Sequence, residues 1–495
     1  MVRALAMSAL LLGGCSALGL TDGLEQEGCT SCADLNAVDP PPACMSWQCI
    51  DGFCALDVED LDEDGVPSRM CIPEGEPYDC DEADPEIAQT FEESCDGKDN
   101  DCDETVDEDL FRLARYPELP DVEALSLAPH DEGLAAVFTR SSAEDGLRVL
   151  RRFRTDDPIE PIETIAEDYA APIVARQTAL GAEDDDSGGL DVAFVPRGGS
   201  CPRALVGRWR AGDPLALSDR HRVATDIGLP KLGGSCPDDA TPVGDLALAS
   251  VGDAALLLWR EVDAGPPSCP STPSAVGALL LRDGVQGSPT RLAESLGPPD
   301  VTPLGTGRAL AALPVDGAVD LYELTLNSRM GITSVERVAS EPCEGDACVD
   351  LSLARWESRE GARVGLAYRT GGCGDAAVRL RRWDPESWEA LDAAPIEVTE
   401  GGAIGRVALA ARTEGGGWGV AWATASTVSA RLFDEDGLPT TGALPVNVSA
   451  PVTAAMAAAW PTDGLVQGFT VAYHDPGPAS ELVQAHLSER SCGGP

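Results

Sequence analysis

Between residues 115 and 495 the sequence keeps returning to one pattern. Three short runs of Val, Leu, Ala and aromatic residues follow one another, separated by Gly, Asp and Pro. Apolar runs of this length between turn formers read as strands. The clearest unit has runs at 406–411, 417–422 and 428–433, and the pattern reappears at 350–353, 364–368 and 378–383. It also matches 122–128, 134–139 and 147–154, then 246–249, 254–259 and 278–281, with weaker copies near Leu190, Arg308 and Ala454. The spacing of about 40 to 65 residues is that of propeller blades with loop insertions. In many units the second run ends in an aromatic residue, and the third alternates Arg with apolar residues. That alternation suits an outer strand with one wet face. The pattern predicts a mainly β protein, with a six- or seven-bladed β-propeller over 115–495, because radial repetition leaves only short sheet edges. A pair of β-sandwich domains made from the same hairpins is the alternative.

The stretch before these repeats cannot fold by burying apolar surface. From Asp57 to Asp109 it carries 23 acidic side chains against two basic ones, Arg69 and Lys98, and few apolar residues. Carboxylates at every second position repel one another unless a hard cation sits among them. Asp60, Asp62 and Asp64 stand at alternate positions and Gly65 follows, as in the opening of a calcium loop. The twelfth position, however, is Cys71 where an EF-hand has Glu. A second opening, Asp99, Asp101 and Asp103, has Glu104 at the turn and Leu110 at the twelfth position. Neither is an EF-hand. Residues 56–110 are expected to form a small metal-binding module stapled by disulfides, since order here must come from cross-links and bound ions.

The order of Asp and Cys is more specific than the composition. Asp60-Leu-Asp-Glu-Asp-Gly65, Asp79-Cys-Asp-Glu-Ala-Asp-Pro-Glu-Ile87, Glu93-Ser-Cys-Asp-Gly97 and Asp99-Asn-Asp-Cys-Asp103 resemble the metal-binding motif of the MopE type. That motif recurs in secreted and surface proteins of myxobacteria and related bacteria. The resemblance covers about 50 of the 495 residues and departs from the motif at Glu104, where Gly is usual. It implies Asp60, Asp62, Asp64, Asp79, Asp81, Asp84, Asp99, Asp101, Asp103 and Asp107 as candidate ligands. The family's name-giving member is associated with copper, but the acidic stretch holds no His and only Met70. All-oxygen ligation suits calcium.

The N-terminus reads as an address. Arg3, the apolar run 4–12 and Leu12-Gly-Gly-Cys15 resemble a bacterial lipoprotein signal (1–14), with Cys15 the lipidated residue. Ser16 after the cysteine favours the outer membrane. Of 17 Cys, assigning Cys15 to lipid leaves 16, an even number for disulfides in an oxidising compartment. Residues 15–55 form a Cys-rich tether, in which Cys29-x-x-Cys32 lacks the second pair or the histidines of a zinc site. Cys343 and Cys348 are spaced for a bridge across a tight loop. A net charge of −49 argues against nucleic acid or anionic lipid as partner.

No catalytic motif is present. His130, His221, His474 and His486 lie in no metalloprotease pattern, and each is expected on the surface or in a loop. The chain is therefore read as a lipid-anchored cell-surface protein, not an enzyme. It would bind calcium through its acidic module, and its propeller would recognise a protein or polysaccharide. An envelope hydrolase or lyase on the same scaffold and a purely structural spacer are the alternatives. Carboxylates gathered at the propeller axis would favour the enzyme.

Overall fold

The computed structural model describes the strands between Met45 and Ser488 and most of the residues joining them in 60–103 and 243–447. Cys15, Cys29, Cys32, Glu104, Asp107 and His221 lie outside the described residues. The chain divides into two compact units. One comprises Met1–Glu92 and Asp99–Thr105; the other comprises Glu93–Lys98 and Val106–Pro495. Among the described residues there is no helix.

In the larger unit the described strands form seven antiparallel sheets. The first holds Val122–His130, Gly133–Arg140, Arg148–Arg151 and Glu163–Thr164; the second holds Ala175–Ala182, Leu190–Pro196, Arg203–Trp209 and Thr225–Gly228. In the third, Val243–Val251, Ala254–Glu261 and Ser274–Arg282 follow in order, and both Val285–Gln286 and Thr290–Ser295 pair with the last of these. The fourth holds Asp300–Gly305, Arg308–Val315, Ala318–Leu326 and Ile332–Pro342. The fifth holds Cys348–Ser358, Gly361–Thr370, Ala376–Trp383 and Ile396–Ala403. Val407–Ala411, Trp418–Ala423, Thr427–Phe433 and Leu444–Asn447 make the sixth.

The seventh sheet joins the two ends of the unit. Met456–Ala459, Gly468–Asp475 and Glu481–Ser488 receive Phe111–Tyr116 as their fourth strand, in register from Phe111 opposite Leu487 to Tyr116 opposite Leu482. The first strand of each sheet contacts the first strand of the next, and that of the seventh returns to that of the first. The arrangement is propeller-like.

The core lies in slabs between successive sheets. Leu256 and Leu258 of the third sheet pack with Ala309 and Ala311 of the fourth. Leu310 and Leu321 pack with Leu366 and Tyr368 of the fifth, and Val378 and Leu380 with Trp418 and Val420 of the sixth. Ala421 and Ala430 then meet Phe469 and Val471 of the seventh. Second strands are thus covered on both faces, so Trp418–Ala423 is buried at every position. Such strands read as unbroken apolar runs instead of alternating ones.

The Arg-rich third strands are not the outer ones. In the fifth sheet Ala376–Trp383 is covered by Ile396–Ala403, and Arg379 pairs with Glu397 on that fourth strand at 2.5 Å. The alternation of Arg with apolar residues arises because the arginines bond neighbouring strands and loops while the apolar positions face a slab. Arg382 donates to the carbonyl oxygens of Glu435 and Asp436 in the sixth sheet. Arg282, at the end of the third strand of the third sheet, reaches Ser328 O in the fourth at 3.2 Å, and Arg308, which opens the second strand of the fourth sheet, reaches Pro385 O in the fifth at 3.2 Å. Each of these arginines clasps the loop after the third strand of the following sheet. Those loops are themselves closed by a side-chain acceptor. Asn327 Oδ1 takes Gly331 N, Asp384 Oδ1 takes Glu386 N, and Asp434 Oδ1 takes Leu438 N.

Candidate metal centre

In the smaller unit the backbone turns around its own carboxylates. Gly65 N donates to Asp60 Oδ2 at 2.9 Å, Asp64 N to Asp62 Oδ1 at 3.3 Å, and Val66 N to Asp64 Oδ1 at 2.6 Å. Gly65 has φ +92°, a conformation that a side chain would strain. The loop gathers one carboxylate oxygen from each of Asp60, Asp62 and Asp64 to within 4.8 Å of one another. Asp64 Oδ2 is buried and has no hydrogen-bond donor within the protein, so one hard oxygen of this set is left open to a cation or a water. The residues fit a dication with oxygen ligation.

The remaining carboxylates are distributed along the unit. Asp79, Asp81 and Asp84 each close a turn by accepting the amide two residues on, from Asp81, Ala83 and Glu86. Asp79 is also buried, and its backbone pairs with Pro67 and Arg69, tying this segment to the first loop. Asp99 and Asp101 bring oxygens within 4.8 Å of each other, and both accept the amide of Asp103, at 3.1 and 3.2 Å. The structure therefore gathers Asp60, Asp62 and Asp64 at one place and Asp99 and Asp101 at another. Asp79, Asp81 and Asp84 belong to neither group among the described residues.

A cross-link and one polar side chain hold the frame. Cys80 and Cys102 form a disulfide that joins the two acidic segments. Asn100, not among the expected ligands, is 2% exposed; its side-chain Nδ2 donates to Glu86 O and its backbone carbonyl accepts Ala88 N, each at 2.8 Å. Its only sequence signal is its place between two aspartates. The bridge Cys343–Cys348 expected from spacing is formed in the larger unit. Cys54 is also disulfide-bonded, on the hairpin of Met45–Ile50 with Phe53–Val58.

The larger unit has carboxylates on the first strands of its third, fourth and fifth sheets, Asp245 and Asp350 buried and Asp300 partly buried. Asp245 is paired with Arg260 at 2.6 Å. Asp300 accepts Val301 N at 2.8 Å and Leu353 N of the next sheet at 2.7 Å. Burial pushes its carboxyl up to about 6, against the pull of those two amides, and the charge of Asp350 adds to the rise. Asp350 is likewise raised by burial, opposed by Arg406, Arg369 and the amide of Val407. Asp300 and Asp350 thus join adjacent sheets, while Asp245 joins two strands within the third.

One histidine, His486, differs from expectation. His474 and His486 both lie in strands of the seventh sheet. His486 is buried, its Nδ1 2.8 Å from Thr470 Oγ1, because the polar face of that strand is covered as fully as the apolar one.

Comparisons place these features beside known proteins. Among curated proteins nothing matches the chain. Among solved structures it is similar to the Trypanosoma rangeli sialidase, with 8% identity and a TM-score of 0.37, over 76% of this chain and 59% of that one. It is similar to the Aleuria aurantia lectin, with 10% identity and a TM-score of 0.38, over 67% and 97% of the two chains. Penicillium chrysogenum α-L-arabinanase shares 12% identity, with a TM-score of 0.38, over 65% and 94%. Within the smaller unit's acidic segment and just beyond it, residues 79–108 match the MopE family model, described as a "Putative metal-binding motif".

Proposed function

We propose that this chain is a lipid-anchored protein of the outer membrane and cell surface. Its acidic, disulfide-stapled module binds Ca²⁺, and its larger unit is a seven-bladed propeller that recognises a protein or polysaccharide without transforming it. The observation that carries the metal assignment is the loop of Asp60, Asp62 and Asp64, with three carboxylates converging and one buried oxygen lacking a donor. Oxygen-only ligands in a turn of this kind suit calcium over copper or zinc. Extracellular calcium modules work at about 10⁻⁴ to 10⁻³ M, so the site would be filled constantly and would serve as structure. The anchor rests on the N-terminal sequence, Arg3, the apolar run 4–12 and Leu12-Gly-Gly-Cys15, and on the even number of cysteines that lipidation of Cys15 leaves.

The enzyme reading gains one observation, the carboxylates Asp245, Asp300 and Asp350 on first strands. Their oxygens are engaged by Arg260 and by backbone amides, which leaves them poorly placed to exchange protons with a substrate. Binding without chemistry is the better reading.

The test is a calcium titration of the mature, unlipidated chain, with thermal unfolding and limited proteolysis in calcium and in chelator. Protection by calcium confined to residues 56–110 supports the module. Identical cleavage in both conditions overturns it. Protection by Cu²⁺ but not Ca²⁺ would overturn the choice of metal. Radiolabelled palmitate incorporated by the wild type and lost in Cys15→Ser would support the anchor; equal labelling would refute it.

A further inference from the structure

We draw no further inference here: the strongest candidate, the carboxylates Asp245, Asp300 and Asp350 on the first strands of the third to fifth sheets, is already engaged by Arg260 and by the backbone amides of Val301, Leu353 and Val407, and no second observation among the described residues points to a ligand there.

Discussion

Asp64 carries the metal assignment at the scale of one residue. Its Oδ1 is committed to Val66 N, while its buried Oδ2 has no donor. Asp64→Asn removes the charge but keeps an acceptor for Val66 N, so the turn persists and the cation loses one hard ligand. Calcium affinity should fall at least about tenfold, or about 1.4 kcal/mol, by isothermal titration. Asp434→Asn, in a turn of the larger unit, should leave affinity unchanged. Equal affinities for wild type and Asp64→Asn would remove the first loop from the site. This loop was legible because alternating Asp followed by Gly states both the ligands and the turn. Asn100 was not legible. Its role depends on a contact with Glu86, fourteen positions away, which no local pattern announces.

Among the elements, the second strands were legible and the fourth strands were not. Trp418–Ala423 is buried throughout, so its apolar run is continuous; Ile332–Pro342 has a single buried position and its sequence resembles a loop. The close approach of adjacent sheets also depends on residues that carry no hydrophobic signal. A Cβ on Gly365 would lie 2.6 Å from the Trp418 ring of the next sheet, and Gly419 stands in the same relation to Phe469. Glycine is needed there because a flat ring occupies the volume of a side chain. Gly365→Ala must displace Trp418, which is fully buried and forms an edge contact with Trp356 at 6.3 Å. The expected cost is about 1–3 kcal/mol, read as a lower denaturant midpoint with unchanged slope. Stability equal to wild type would show that the seam between the fifth and sixth sheets is looser than its packing indicates.

For the whole molecule, the closing strand and the buried acids set the response to truncation and to pH. Phe111–Tyr116 was missed in the sequence because its partner strand lies some 370 positions later, as in the pair Tyr116–Gln484. Phe111 and Tyr116 are buried, and Arg115 pairs with Glu481 at 2.5 Å. Deleting residues 1–117 should therefore cost roughly 3–6 kcal/mol beyond deletion of 1–105, from the two aromatic side chains alone. Equal melting of the two deletions would mean that the seventh sheet holds without its fourth strand. Acid has a more particular effect. Asp300, with its carboxyl at about 6 when folded and 3.8 as the ordinary value, binds its proton more tightly in the native state. Its stabilising contribution is complete below about pH 4 and is lost as pH rises to about 6, an effect of about 3 kcal/mol. Asp350 and Glu341, both raised mainly by burial, act in the same direction. The net charge of −49 adds self-repulsion of the same sign, so a rise in melting temperature on acidification does not by itself identify the seam. Asp300→Asn separates the two. It changes the overall charge by one unit while removing the titrating group that joins Val301 N and Leu353 N. Thermal unfolding in chelator between pH 4 and pH 6 should show a shallower slope for Asp300→Asn than for wild type. Parallel slopes would assign the acid response to general repulsion and leave Asp300 charged in the folded protein.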